Sequence, residues 1–434
     1  MVSHYDCDGI SSAIIANIFL DEIDKSFEQV FLDELTEEKI KDVLEKHDQP
    51  VVFFTDIGSG QRDVVSSEIG DERTVLIADH HEVADEGEVD FHVNPMLINN
   101  GEEIDGGEEI SGAGVTFLVA DSVLDDSSKL LPYALVGATG DIQKKDNCFK
   151  GPNRDFLEKA EEKDMIEVKN GLRLYGRSSK SLVKALKYTT EPYLEGITEN
   201  ESGTVQFLRN TGIELRDDDG WRSLSDLSEE EEKRIINGLI KRGYEGVENL
   251  LGTVYVLNNG WEIQEFSSLL NACGKLEKPK KALDICVNEE YDKAWDIKKE
   301  YGRKISKYLS ILERKLDDDT FVEKTFFGTL IKAGNRIDPN IIGTVTTIAT
   351  KSGIVEGPVV VGMAEKEEDK LKISSRVVEE YEEEVVLNEL MEDACEEVGG
   401  KGGGHRMAAG GKIPKDERDR FIKIIKDSLK QLKE

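Results

Sequence analysis

"VVFFTDIGSG", residues 51–60, carries four apolar residues and a threonine straight into Asp56 and a glycine-rich turn. An unbroken apolar run of this length, closed by an acid and glycine, reads as a buried parallel strand whose carboxyl end stops at Asp56. The pattern recurs in "TVLIADHHE", residues 74–82, which ends on Asp79, His80 and His81. Around these runs, "DGISSAIIANIFLDEI" (8–23) and "TEEKIKDVLEKH" (36–47) read as helices and "QVFLDEL" (29–35) as a further strand. Strand alternating with helix predicts an α/β fold with a parallel sheet over residues 1–150. Only Met1 and Val2 precede "SHYDCDG" (3–9), so the first strand is either very short or the sequence begins late.

The chain has 434 residues, more than one core usually fills, and the texture changes twice along it. Residues 151–317 read as a helical insertion and linker, lysine-rich, broken by "RDDDG" and "SEEEEKR", and closed by a long helical stretch, "YDKAWDIKKEYGRKISKYLSILERKL". From 318 to 434 strands return in "TFFGTLIKA", "PVVVGMAEK" and "DKLKISSRV", with helices expected near 340–351 and 385–398. This predicts a second, smaller α/β domain that ends in a glycine-rich loop and a helix.

Five scattered cysteines without a CxxC pair exclude a thiolate zinc site and a disulfide framework, and fit a reducing cytoplasm. No run approaches the roughly 20 apolar residues of a membrane span, and no signal-peptide pattern opens the sequence. A net charge of −34 repels polyanions at long range, so a nucleic-acid partner must be held by metal ions or by local basic patches.

Ligands of open parallel sheets gather at the carboxyl ends of the strands. There the sequence delivers His4, Asp6 and Asp8 from the first strand, Asp56 from the next motif, then Asp79, His80 and His81. A later apolar run, "YALVGATGDIQ" (133–143), ends at Asp141 and reads as a fourth segment reaching the same edge. One aspartate in such a place ordinarily caps the next helix. Four coincidences, two with histidine, call for a cation among the carboxylates, and imidazole plus carboxylate suits Mn²⁺ or Mg²⁺. Two such ions sharing one carboxylate are a known solution for displacement at phosphorus.

With "SHYDCDG", "TDIGSG", "ADHHE" and "GD" in this order, the chain resembles the DHH phosphoesterase superfamily. "KISSR" (372–376) and "GGKGGGHRMAAGG" (399–411) resemble the second, DHHA1 domain of the subgroup that holds the RecJ single-strand exonucleases, archaeal RecJ-like proteins among them. The resemblance implies two Mn²⁺ ions, with Mg²⁺ as the alternative. His4, Asp6 and Asp56 would hold one, and Asp8, Asp56, His80 and Asp141 the other, Asp56 bridging. It further implies that His81 faces the phosphate, that Asp79 orients a ligand from behind, and that Arg376, Gly403, Gly404 and His405 grip the nucleic-acid backbone. The implied activity is hydrolysis of single-stranded DNA, or RNA, to nucleoside monophosphates. The rival readings are a phosphodiesterase of dinucleotides or short oligonucleotides, and a replisome scaffold that binds replication proteins such as GINS, like the inactive eukaryotic relative of RecJ.

Arg173, Arg177, Lys180, Lys184 and Lys187 recur at intervals of 4, 3, 4 and 3, the spacing of one helix face, and form a candidate track for a polyanion. Lys275, Lys278, Lys280 and Lys281 form a second basic patch, expected on a loop. Asn271 and Lys275 lie in "FSSLLNACGKLEKP", which resembles a segment of the archaeal RecJ-like proteins and makes both candidate cleft residues. Trp221, Trp261 and Trp295 are candidates for stacking on bases, with core packing the expectation for all three.

Overall fold

A computed structural model describes residues 1–69, 72–97, 104–144, 147–189, 194–218, 220–244, 246–366, 369–381 and 385–430. The chain divides into two compact units, Met1–Ile297 and Lys298–Glu434.

The first unit opens with β1 (Val2–His4), α1 (Cys7–Glu22), β2 (Val30–Leu32), α2 (Glu37–Lys46), β3 (Val51–Thr55), α3 (Arg62–Ile69), β4 (Thr74–Ala78) and β5 (Phe91–Val93). The strands form one parallel sheet in the order β2-β1-β3-β4-β5. β1 is three residues long, with β2 and β3 on either side of it. Val2, Val52, Phe54, Val75 and Ile77 pack against Ile40 and Val43 of α2 and Val65 and Ile69 of α3. Each fully buried aliphatic or aromatic side chain there stabilises the layer by about 1.5–3 kcal/mol.

Next come α4 (Gly112–Asp121), α5 (Leu131–Gly140) and α6 (Gly151–Glu162). α1, α4 and α5 pack on one another, so α1 is buried along most of its length and shows none of the polar striping of α2. Here one expectation is corrected: Asp141 is not at a strand end. "YALVGATG" forms α5, with Pro132 in its first turn and Asp141 as its C-cap. A helix buried on all sides loses its 3.6-residue period and reads like a buried strand.

The expected helical insertion contains sheet as well. β6 (Ile166–Leu172), α7 (Leu182–Lys187), α8 (Glu201–Asn210), β7 (Arg216–Asp217), β8 (Gly220–Trp221), α9 (Glu229–Lys241), β9 (Leu251–Leu257), α10 (Ile263–Lys275) and α11 (Pro279–Val287) follow in order. β6 and β9 pair antiparallel over their full lengths. The expected linker helix is α12 (Ala294–Arg314).

The second unit holds β10 (Val322–Thr325), β11 (Gly328–Gly334), α13 (Ile342–Lys351), β12 (Val359–Glu365), β13 (Lys370–Val377), α14 (Leu387–Glu397), β14 (Lys401–His405), β15 (Ala408–Pro414) and α15 (Arg418–Lys430). Its sheet runs β10-β11-β12-β13-β15-β14, parallel only between β11 and β12. One apolar cluster joins the sheet to α14 and α15, another to α12 and α13. The glycine run is a second correction: it is no loop but the strand β14, hairpinned onto β15. Glycine is needed because backbones crowd there. A Cβ on Gly402 would stand 2.2 Å from the Met391 carbonyl oxygen, and one on Gly410 2.4 Å from that of Ile373.

Candidate metal centre

The carboxyl edge of the parallel sheet gathers the motif residues. His4 ends β1, and Asp6 caps α1 by accepting from the Gly9 N–H at 3.0 Å. Asp8, two residues on in the first turn of α1, is buried, and its carboxylate accepts from the N–H groups of Gly112 (2.7 Å) and Ala113 (3.0 Å) at the start of α4. That helix start supplies both donors and the positive end of the dipole. Asp56, just past β3, has φ of 57°, a left-handed conformation rare outside glycine, and its N–H donates to the Ala78 carbonyl at 2.9 Å.

His80 Nδ1 lies 2.6 Å from the Gly106 carbonyl oxygen, to which it donates, so Nε2 carries the free lone pair. Around that Nε2 stand Asp56 Oδ1 at 3.4 Å, Asp8 Oδ2 at 3.7 Å and Asp141 Oδ2 at 3.8 Å. On the other side, His4 Nδ1 lies 3.1 Å from Asp6 Oδ1 and 3.8 Å from Asp56 Oδ2. Ligands about 2.1 Å from one octahedral ion stand roughly 3 to 4 Å apart, which is the spacing of both groups. Among the groupings able to hold an ion are His4–Asp6–Asp56 and Asp8–His80–Asp141, with Asp56–Asp79–His80–His81 overlapping both, and Asp56 turns one oxygen toward each of the first two. Its Oδ1 is buried without a hydrogen-bond partner, an orphaned oxygen that a divalent ion would satisfy. No thiolate competes, since Cys7 Sγ turns toward the Val136 carbonyl and Ser267 Oγ. The donor set fits Mn²⁺ or Mg²⁺.

The electrostatics agree. Burial and the neighbouring Asp8 charge push Asp56 well above the usual carboxylate range, and push Asp141 up to about 7. Burial works against a charged His80, but Asp56, Asp8 and Asp141 outweigh it and raise its pKa well above 6.5. Without a cation, protons must fill this centre.

Asp79 stands behind, buried, accepting from the Ser59 N–H (2.9 Å), the His80 N–H (2.8 Å) and His81 Nδ1 (2.7 Å). Burial alone would raise it, yet the two histidines and the Ser59 N–H hold it well below the ordinary range. The ring it fixes is that of His81, while its hold on His80 is through the backbone. The His81 side chain is 56% exposed, and Asp79 outweighs its burial to raise its pKa.

Two glycines escaped the sequence reading. A Cβ on Gly112 would meet Asp56 Oδ1 at 2.4 Å, and one on Gly137 would meet Asp8 Oδ1 at 2.3 Å. Asn271 Oδ1 accepts from the Cys7 N–H at 3.2 Å, so this candidate cleft residue braces the start of α1. The visible signal was "ISGAGV" (110–115), a serine cap followed by paired glycines, which is the helix start that holds Asp8.

The basic stripe is corrected. Arg173 follows β6, residues up to Lys180 form turns, and only Lys184 and Lys187 lie in α7, whose cap is Ser181. Arg177 is buried and bound to Glu232 and to the Leu172 carbonyl. Lys187 pairs with Glu201 at 3.1 Å, and Lys180 lies over the rings of Tyr175 and Tyr188. Of the second patch, Lys275 ends α10, while Lys278, Lys280 and Lys281 surround the first turn of α11 rather than a loop. Trp261 is buried against half-buried Trp295, but Trp221 is 53% exposed under Arg216 and is no core residue.

In the second unit Arg376 sits opposite Ala408 on β15, and Ala408 opposite His405 on β14. Directly paired residues project to the same face, so Arg376 and His405 flank a small alanine, about two strand spacings apart. The guanidinium is aimed by Thr347 Oγ1 (2.8 Å), Ser374 Oγ (3.2 Å) and the Ser375 carbonyl (2.6 Å). Gly403 and Gly404 lie beside His405 on the outermost strand.

Three family models match the chain in sequence: the DHH family N-terminal domain over residues 1–138, the DHH-CID domain over 174–249 and the DHHA1 domain over 324–431. A protein of Methanocaldococcus jannaschii described as "Uncharacterized protein MJ0831" is 26% identical over 444 residues, covering 99% of this chain and 92% of that one. Among solved structures, RecJ of Thermus thermophilus in complex with Mn²⁺ superposes with a TM-score of 0.55 at 14% identity over 99% of this chain. The chain spans about half of that RecJ's length, 51%. CDC45 from Entamoeba histolytica superposes with a TM-score of 0.60 at 12% identity, over 98% of this chain and 94% of its own. Among the described residues, no helix is long and apolar enough to cross a membrane.

Proposed function

From the premise that this chain, with DHH, DHH-CID and DHHA1 domains in order, belongs to the DHH superfamily, we propose that it is a metal-dependent exonuclease of single-stranded DNA or RNA. The observation that carries this reading is Asp56, whose two oxygens face the two ligand sets separately. His4, Asp6 and Asp56 would hold one ion and Asp8, Asp56, His80 and Asp141 the other, Mn²⁺ or Mg²⁺. Such a pair, when bound, supplies charge neutralisation on the phosphoryl oxygens and acidifies the attacking water.

The chain's own groups do the rest. Asp79 locks the His81 ring through Nδ1, leaving Nε2 on the exposed side to bond a phosphate oxygen or to protonate the leaving oxygen. Arg376 and His405, either side of Ala408, hold a further backbone phosphate. Water adds to phosphorus, the bridging ester bond breaks, and a nucleoside monophosphate leaves. A scaffold that only binds replication proteins such as GINS has no use for six ligands in this geometry, and all six are present.

The test is digestion of single strands of about 2 to 30 nucleotides, labelled at each end in turn, with Mn²⁺ or with chelator. Mononucleotide release from long strands supports the proposal. Activity confined to the shortest strands moves the chain to the dinucleotide branch, and no hydrolysis together with binding of a replication protein makes it a scaffold.

A further inference from the structure

Three residues beyond Asp141, Lys144 enters a cavity of about 180 Å³ walled also by Arg173, Tyr175, Arg177, Glu262 and Gln264. Three residues of chain span at most about 10 Å, so the Lys144 backbone lies within about that distance of Asp141. Lys144 is half-buried, with its ammonium 5.8 Å and 5.6 Å from the ring centres of Phe149 and Tyr255. Among the described residues, neither Lys144 nor Arg173 has an ion pair or a side-chain hydrogen bond. Arg177 is already bound to Glu232. The one carboxylate in the wall, Glu262, caps α10 by accepting from the Glu265 N–H at 3.0 Å. Burial pulls the Lys144 ammonium down to about 8, against the opposing pull of the Glu262 carboxylate. In a chain of net charge −34, half-buried Lys144 and exposed Arg173, neither held in an ion pair, outnumber the single wall carboxylate of Glu262 and leave this small cavity an excess of positive charge suited to an anion.

Size decides which anion. Pockets that swallow whole small molecules measure about 300–1,000 Å³, so this one takes a phosphate group and leaves its base outside. Outside, Arg173 and Tyr175 alternate with buried Leu174 and so share one side of the chain. The Tyr175 ring is 55% exposed, with the Lys180 ammonium 4.7 Å from its centre; Tyr188, 56% exposed, lies 5.4 Å from the same ammonium. Exposed rings joined by a cation form a platform on which bases of any sequence stack.

We infer that Lys144 and Arg173 bind the backbone phosphate of a nucleotide close to the scissile one, with its base stacked on Tyr175. This rests on the single-strand reading above and adds Lys144 to it, while Arg173 of the sequence stripe takes a phosphate without the helix face on which the stripe placed it.

The test is anisotropy of a labelled single strand in metal-free buffer, where binding is read without cleavage, over a salt series. Each neutralised phosphate contributes about 0.7 to the slope of log K against log salt, so the double variant K144Q/R173Q, which gives up one phosphate, should flatten it by about 0.7. Affinity at low salt should fall at least about tenfold, and K144R/R173K should restore both. Tyr175→Leu should weaken binding roughly 5- to 150-fold with the slope unchanged. Wild-type slope and affinity in K144Q/R173Q would overturn the subsite, as would failure of the charge-keeping variant to rescue while remaining folded. If the wild-type chain binds strands in this way but cuts none, the exonuclease reading fails and the subsite stands.

Discussion

Gly112 lies so close to Asp56 that a Cβ on the glycine would stand 2.4 Å from Asp56 Oδ1, a distance that real Cβ atoms do not tolerate. The oxygen is the orphaned one, buried without a partner, and Gly112 also donates its N–H to Asp8. One residue thus sets the position of two carboxylates. Gly112→Ala should leave the far-ultraviolet spectrum unchanged and lower Mn²⁺ affinity about 10- to 100-fold, as loss of supporting contacts around a metal does. Titration calorimetry measures it, and wild-type affinity would remove Asp56 from the centre.

Asp56→Asn separates stability from metal binding. Burial and Asp8 raise the Asp56 pKa, so in the metal-free chain this carboxylate is held against its preference and its neutral isostere relieves the repulsion. The variant should melt higher than wild type in chelator. Mn²⁺ should raise the wild-type melting temperature well beyond that of the variant, and hydrolysis by the variant should be abolished. Equal Mn²⁺ shifts in both proteins would contradict the bridging role.

The same electrostatics fix a pH dependence. Asp141 titrates at about 7 in the folded, metal-free chain and near 3.8 when unfolded, so between those values the folded form holds an extra proton. Stability of the metal-free chain therefore falls as pH rises from about 4 to 7. A divalent ion must displace that proton, so Mn²⁺ affinity should weaken as pH drops below about 7, by up to tenfold per unit for each proton released. Melting curves from pH 5 to 8, with and without Mn²⁺, should diverge toward the alkaline end. Parallel curves would refute the coupling.

What the sequence shows of this fold divides along physical lines. Strands β3 and β4 were legible because parallel strands covered on both faces are continuous apolar runs, and their terminal acids mark the ligand edge. Asp141 was placed at the edge for the wrong reason, since α5 is apolar on every side and carries no period. β14 was missed because glycine disfavours strands in general, and only the crowding of Met391 and Cys395 against its backbone shows why glycine is needed. Arg177 matched a helical spacing by chance; its partner Glu232 lies 55 residues away, beyond any local pattern.

That Arg177–Glu232 pair yields a prediction opposite to a role in strand tracking. Both side chains are buried, and Glu232 also accepts from the Leu172 N–H at 2.9 Å. Removing the cation strands a buried carboxylate, a loss of about 3–5 kcal/mol. Arg177→Met should lower the melting temperature markedly while leaving the salt slope of strand binding unchanged. A flattened slope in folded protein would return Arg177 to the interface.

On the second unit, the paired positions Arg376, Ala408 and His405 predict a steric as well as an electrostatic phenotype. His405 is exposed at the end of β14, and Ala408 is the small residue that leaves room between it and Arg376. If a phosphate lies in that gap, His405→Ala removes a donor and Ala408→Leu fills the space. Both should raise KM for long strands about tenfold or more with little change in kcat, because the contact holds substrate and transition state alike. Filling the gap should cost affinity even with both donors in place, which separates occupancy of the gap from general attraction to a basic surface. A wild-type KM in Ala408→Leu would mean that the two side chains act apart. A fall in kcat at constant KM would place His405 in the chemical step.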